Sequence, residues 1–336
     1  MDVLSDVLMS VRLTGAVFFD VDARSPFVTE SPSVASLDHE VLSGAEHVIA
    51  FHVVTEGTCW AEIIDGGAPP VALAAGDMVA FPAGDANVMA SAPGMRGSPD
   101  PSLYQRPPDR TLPFSLQMSR ESAADRTRFV CGFLGCDSRP FNPLLDSLPR
   151  IVHSPVSAQS RQWVASLIDA AVDTSGGEPG AGREAMLAKL AELMFVEALR
   201  GHLAQLGDDE RGWLAGVRHP QVGAALRLMH GRPADPWTLE RLARGVGMSR
   251  SSFAEQFTTY VRISPMQYLT RWRLQLAARL LESSSVSVAQ AASAVGYQSE
   301  AAFNRAFKRE VGEAPGTWQR ALHTPAPHAA TQREPV

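Results

Sequence analysis

Two stretches in the second half of the chain decide its fold: LERLARGVGMSRSSFAEQFTTYVRISPMQY at 239–268 and VAQAASAVGYQSEAAFNRAFKREVGEAPGTW at 288–318. They are copies of one pattern. Phe253/Phe303, Phe257/Phe307, Pro265/Pro315 and Tyr268/Trp318 are each 50 residues apart, whereas Gly247 and Gly296 are 49 apart, so the second turn holds one extra residue. Each copy reads as a short helix, a turn opened by glycine, and a second helix of about 11 residues, which is a helix-turn-helix unit. Leu239, Leu242, Ala243 and Val246 line one face of the first short helix, and Val288, Ala291, Ala292 and Val295 line the second. Thr238, Ser249, Ser287 and Ser299 stand where helix N-caps are needed. Phenylalanines four apart point one face of each second helix inward.

The opposite faces are polar. In copy one that face carries Arg250, Ser251, Ala254, Glu255 and Thr258; in copy two it carries Glu300, Ala301, Asn304, Arg305 and Lys308. Asparagine and arginine make bidentate contacts to base edges, while lysine, serine and backbone N–H groups suit phosphates. Between the copies, Ser264-Pro265 opens a helix running to about Glu282, with proline at the first position where its missing N–H costs nothing. About 18 residues at 1.5 Å each give roughly 27 Å, a rigid spacer on the scale of one DNA turn of about 34 Å.

The charge follows the same division. Of 30 Lys+Arg and 36 Asp+Glu, residues 211–336 hold 16 and 8, a balance of +8, which leaves −14 for residues 1–210. A basic half beside an acidic one suggests a polyanionic partner for the basic half. The apolar runs fall short of the roughly 18 residues a membrane span needs. The first 15 residues lack the basic start and apolar block of a signal peptide. Three cysteines, an odd number, do not make a secreted disulfide framework. The expectation is a cytoplasmic protein with no membrane partner.

The combined stretch resembles the AraC/XylS family of bacterial transcription regulators over about residues 219–322, and GYQSEAAFNRAFKREVGEAP follows that family's signature almost position by position. The resemblance implies two recognition helices, 249–260 and 299–310, in successive major grooves of double-stranded promoter DNA. Carried over residue by residue, the DNA-facing positions are Arg250, Ser251, Glu255, Gln298, Ser299, Asn304, Arg305 and Lys308. It also implies that the other domain senses a signal or dimerises, with RNA polymerase as a further partner.

The acidic half reads differently. From about Ala35 to Ser91 short β-prone runs alternate with turn residues, as in an antiparallel sandwich or barrel. Residues 93–128 are polar and rich in proline and arginine, and read as a surface loop; RFVCGFLGC at 128–136 returns to strand character. AAGDMVAFPAGDAN at 74–87 is similar to the second cupin motif through Gly76, Pro82 and Gly84, with the first half of the site around His47 and His52. Asn87 stands where that motif supplies a metal-binding histidine, and asparagine is a poor ligand for metals that prefer imidazole. Cys131, Cys136 and Cys59 are open to three readings: buried apolar thiols, a redox switch, or a zinc site completed by Cys59 or His153. Trp60, Met78 and Met89 are candidates for a ligand cavity or for plain core. Residues 159–172 and 183–206 read as helices, the latter with an apolar face of Leu187, Leu190, Leu193, Met194, Val196, Ala198 and Leu203.

The expected architecture is α+β and multidomain. An N-terminal antiparallel, cupin-like β-barrel at 1–150 serves as sensor. Linking or dimerisation helices occupy 151–213, an all-α domain with two helix-turn-helix motifs spans 214–322, and a disordered tail covers 323–336. The expected function is a sequence-specific transcription regulator answering a small-molecule or oxidant effector, working as a homodimer, without cofactor and not an enzyme. The rival is a metal-dependent cupin enzyme fused to a DNA-binding module.

Overall fold

The computed structural model describes residues 2–37, 42, 45–104, 112–118, 125–155, 182–207 and 209–323. The expected helix at 159–172 and the expected disordered tail beyond 323 lie outside them. Two units emerge. The described residues of 11–138 and 143–210 form a sheet-rich unit; those of the first ten residues, of 139–142 and of the chain from Arg211 form a helical one.

The sheet-rich unit is built from β1 (Thr14–Arg24), β2 (Val28–Ser31), β3 (His47–Glu56), β4 (Thr58–Ile63), β5 (Val71–Ala74), β6 (Met78–Phe81), β7 (Asn87–Ala90), β8 (Phe114–Met118), β9 (Arg126–Cys136) and β10 (Val152–Ser154). They make a six-stranded sheet in the order β10-β6-β3-β9-β1-β8 and a four-stranded sheet in the order β2-β7-β4-β5. Among the described residues every pairing is antiparallel except β1 with β8, which is parallel. The strand β8 lies inside the stretch read as a surface loop: its FSLQM alternates half-buried with exposed residues, and five residues are too short a signal amid prolines and arginines.

The core between the sheets holds Phe18, Phe19, Val21, Phe81, Met89, Phe129 and Phe133, among others. Phe18 and Phe19 are sequence neighbours yet share this core, because the β1–β9 register shifts between Val17 and Phe19; a bulge turns two successive side chains to one face. The strand β1 also meets a helix spanning Arg183–Gln205. Gly15 permits the approach, since a Cβ there would sit 2.5 Å from the Ala188 carbonyl oxygen. Burial on two faces removes the apolar–polar alternation from β1, β6 and β9. On that helix Leu187, Leu190, Ala191, Met194, Phe195, Ala198 and Leu199 are buried, whereas Leu193 is 51% exposed, which corrects the expected apolar face. Much of the unit's acidity is paired: Asp20 with Arg128, Asp22 with Arg126, Glu30 with Arg96, and Asp65 and Asp85 with Arg150.

In chain order the helices are α1 (Val3–Ser10), α2 (the Arg183–Gln205 helix), α3 (Trp213–Arg218), α4 (Pro220–Gly231), α5 (Leu239–Gly245), α6 (Arg250–Val261), α7 (Pro265–Leu281), α8 (Val288–Ala294), α9 (Glu300–Val311) and α10 (Pro315–His323); all but α2 belong to the helical unit. Helices α5–α6 and α8–α9 are the two repeats, and α7 joins them. All four expected caps form: Thr238, Ser249, Ser287 and Ser299 accept the backbone N–H of Arg241, Ser252, Gln290 and Ala302. Ser264 and Gln267 close a capping box on α7. Phe253, Phe257, Phe303 and Phe307 are fully buried. Tyr268 and Trp318 occupy matching places, each edge-on to a phenylalanine of its module at 5.8 and 6.0 Å. Among the described residues no helix is long and apolar enough to cross a membrane.

Candidate nucleic-acid interface

Burying the phenylalanine pairs orients α6 and α9, and their outer faces follow from helical spacing. Arg250, Ser251 and Glu255 are exposed on or beside α6, as are Gln298, Ser299, Arg305 and Lys308 on or beside α9. Asn304 is only half-buried, and its Oδ1 has no hydrogen-bond partner. The Ser299 hydroxyl is engaged as the N-cap of α9. Ser251 shares a hydroxyl contact of 3.3 Å with Ser249. Thr258 and Thr259 donate back to the Ala254 and Glu255 carbonyls at 2.8 and 2.9 Å, so their hydroxyl protons are spent inside the helix.

The two faces differ electrically. Helix α6 carries Arg250 against Glu255, and α9 carries Arg305, Lys308 and Arg309 against Glu300 and Glu310. Glu310 is taken up by Arg271 of α7 at 3.2 Å and by Arg309 at 3.1 Å. Arg305 and Lys308 thus stand on the exposed face beside a carboxylate that is already engaged.

Sequence reasoning passed over the polar groups that hold the unit together. Gln275 of α7 is 1% exposed; its Oε1 accepts the Phe141 N–H at 2.9 Å and its Nε2 donates to the Ser10 carbonyl at 3.0 Å. The signal was present, because Gln275 follows Tyr268 and Trp272 at i+7 and i+3 and so shares their buried face. Tyr268 accepts the Trp213 indole N–H at 2.8 Å and contacts His230 Nε2 at 2.8 Å. His230 also stacks on Trp272 at 4.0 Å, and burial pushes its imidazole down to about 3. With Tyr268 as donor, Nδ1 carries the proton and faces the Asp6 carboxylate 3.6 Å away.

In the sheet-rich unit the cupin-like positions do converge. His52 Nε2 lies 2.8 Å from Asn87 Oδ1, and His52 Nδ1 lies 2.9 Å from Cys131 Sγ. Asn87 Nδ2 donates to the Asp85 carbonyl at 3.0 Å, which fixes the amide and therefore the direction of the chain. Cys131 S–H donates to Nδ1, and Nε2–H donates to Asn87. Burial holds His52 neutral, with its pKa pushed down to about 4. Both ring nitrogens are consumed, so these residues do not fit a cupin metal. No group of three metal-ligating side chains occurs among the described residues.

Cys59 and Cys131 share one core, Cys59 buried and Cys131 half-buried, and Cys136 is not part of it. Cys131 pairs with Phe19 and with His52 across neighbouring strands, whereas Cys136 pairs with His47. Cys59 lies on β4. His153 lies 3.6 Å from Asp77 instead. Burial pushes the Cys59 and Cys136 thiols up to about 12, and Cys131 well above the ordinary thiol value. A cavity of about 210 Å³ reaches Cys131 and is also lined by Phe19, Thr29, Tyr104, Leu116 and Met118. Trp60, Met78 and Met89 do not line it; Met78 and Met89 are core.

Comparison with known proteins matches the description "Cupin" over residues 2–204 and "Helix-turn-helix domain" over 242–321. A putative AraC-like transcription regulator of Streptomyces lividans is 35% identical over 280 residues, covering 82% of this chain and 88% of that protein. The HTH-type transcriptional regulator AlkR of Acinetobacter baylyi is 40% identical over 177 residues, 52% of this chain and 57% of its own. Among solved structures, the DNA-binding domain of AdpA in complex with a target DNA is 29% identical, covers 31% of this chain and 93% of that one, and gives a TM-score of 0.30.

Proposed function

Because this chain belongs to the AraC-like transcription regulators, DNA-binding proteins in which a cupin domain accompanies a helix-turn-helix domain, we propose that it reads promoter DNA through α6 and α9 and answers a small molecule held by its cupin domain. The observation that carries the DNA half is the pair of exposed polar faces set by buried phenylalanines. Arg250, Ser251 and Glu255 act in the first module. Gln298, Arg305 and Lys308 act in the second, with Ser299 at the N-terminus of α9 and Asn304, whose Oδ1 is buried and unpartnered, reaching a base edge only by rotating its amide outward. In this reading the protein works in the cytoplasm, where promoter DNA is, with RNA polymerase and a second copy of the chain as further partners. The reading keeps a sensor to about 150, linking helices to about 213 and a DNA-binding domain to about 322, except that the first ten residues and 139–142 group with the helical unit.

For the sensor half, the cavity at Cys131 supports a ligand. At about 210 Å³ it is smaller than the roughly 300–1,000 Å³ of drug-sized sites, which suits a molecule of few heavy atoms with an apolar body, in a lining that also offers the Cys131 thiol, the Gln117 amide and the Glu30 and Asp100 carboxylates. The thiols favour this reading over an oxidant, because oxidation and exchange proceed through thiolate and burial keeps all three cysteines protonated. The hydrogen-bond chain Cys131–His52–Asn87 favours a binding domain over a metal enzyme.

Duplexes enriched from genomic fragments by the full chain test both halves. Arg305→Ala should weaken binding to such a duplex by about 1–3 kcal/mol and relax the preference at one position. Wild-type affinity and unchanged preference would remove Arg305 from the interface. Peroxide treatment should leave binding of the wild type unchanged; its loss, with restoration by thiol reductant, would replace the small-molecule reading by an oxidant one.

A further inference from the structure

The loop between α4 and α5 is built more firmly than a connection requires. Trp237 is flanked by the guanidinium groups of Arg232 and Arg241, 5.6 and 5.1 Å from its ring centre. Its indole N–H donates to the Arg232 carbonyl at 2.8 Å, and Arg241 donates to the Pro236 carbonyl at 2.7 Å. From the intermodule helix α7, Arg273 Nε donates to the Pro233 carbonyl and Nη2 to the Asp235 carbonyl, each at 2.7 Å. A planar guanidinium gripping two carbonyls fixes orientation as well as distance.

Between the two gripped carbonyls lies Ala234, and its own carbonyl faces the turn of the second module. A Cβ on Gly296 would fall 2.4 Å from the Ala234 oxygen. Gly296 has φ +86° and Gly247, its counterpart, has φ +72°, yet nothing lies within 4 Å of a Cβ at Gly247. The contact is therefore not a demand of the turn itself. It lies beside Tyr297, the counterpart of Met248, since each donates its N–H to the carbonyl five residues back. The extra residue of the second turn is Gln298, and Tyr297 packs edge-on against Phe303 at 5.3 Å while its phenol interacts electrostatically with Arg273. Two residues away on α7, Arg271 pairs with Glu310 of α9 at 3.2 Å.

We infer that Arg273 is a positioning residue: by clamping the Pro233–Asp235 loop against the turn at Gly296, it locks the two helix-turn-helix modules into one ruler that fixes the half-site spacing the protein accepts. This rests on the DNA-binding reading above. One inserted base pair moves the second half-site by about 3.4 Å and rotates it by about 34°. A locked pair surrenders contacts at one half-site, whereas a released pair follows the DNA.

The test uses the full-length chain and a duplex recovered by selection with it, remade with one or two base pairs inserted between the half-sites, with Kd read by fluorescence anisotropy. Wild type should lose about 30-fold or more for one added base pair, the scale of one or two lost base contacts. Arg273→Met, which keeps the apolar stem, should cut that penalty to about fivefold or less. Two glycines inserted between Ala234 and Asp235, in an exposed loop, release the same contact without touching α7 and should act alike. Gly296→Ala should relax the spacing and Gly247→Ala should not, although both carry the strain of a positive φ. Thermal unfolding verifies that each variant is folded. If folded Arg273→Met and the loop insertion both keep the wild-type spacing penalty, even with weaker binding at every spacing, the lock is refuted and Arg273 is merely structural. If wild type enriches no duplex at all, the DNA-binding reading falls, and the lock with it.

Discussion

The two helix-turn-helix modules share a frame and differ in what is hung on it. Both bury a phenylalanine pair, both are capped by a residue accepting the N–H three positions on, and both end against an aromatic of the following helix. The first module has a short turn with open space around Gly247 and a recognition helix carrying one positive and one negative side chain. The second has a longer turn packed on Ala234 and a helix with three cations. Their buried polar content also differs. Tyr268 sits between Trp213 and His230, whereas the indole nitrogen of its counterpart Trp318 has no hydrogen-bond partner. The apolar frame repeats because it makes the fold; what sits on it diverges because each module meets different neighbours.

The largest test of that shared frame is deletion of its core. Phe257→Ala and Phe307→Ala should each cost about 3–5 kcal/mol in chemical denaturation. If one costs under about 1 kcal/mol, the modules are not equivalent in their packing. The next test separates them by pH. His230 packs beside the first module and has no counterpart in the second, where residues 282–318 contain no histidine. Its folded pKa, pushed down to about 3 from an ordinary value near 6.5, favours the neutral form, so its contribution is complete above pH 6.5 and is lost as pH falls toward 3. On the order of 4–5 kcal/mol should disappear over that range, and His230→Asn should flatten the urea-unfolding profile there. An unchanged profile would place the acid sensitivity elsewhere, His52 of the sheet-rich unit being the first candidate. The smallest effect concerns the caps: Ser249→Ala and Ser299→Ala should each destabilise by about 1 kcal/mol in thermal unfolding. A clear inequality would show that one turn holds its helix without the cap.

Local chemistry made the helical half legible. Apolar periodicity, serine caps and a proline opening a helix are all rules about residues within a few positions of one another, and the structure follows them. The polar outer faces of α6 and α9 were legible for the same reason, since the phenylalanine spacing assigns the opposite face, whereas Gln298 and Ser299 entered as candidates through the family resemblance alone. The sheet-rich half was less so. The helix α1, the strand β1 and the short β8 went unread, because a strand buried on both faces loses its alternation and a parallel partner lies some 95 residues away along the chain, as between Phe19 and Phe114. The Asn87 departure was visible in sequence. That His52 and Asn87 meet in a hydrogen bond, with Cys131 as the second partner, depends on strands from both sheets.

The sequence by itself determined the repeated helix pairs, their caps, their inward phenylalanines and the basic balance of the second half, since each follows from periodicity and composition. Only the tertiary structure decided that Gln275 would join Ser10 to Phe141, that Arg273 would grip the loop that faces Gly296, and that Cys59 and Cys131 would share a core without Cys136. A long polar side chain buried within a helix chooses its partners by what packing brings to it, and no spacing along the chain encodes that choice.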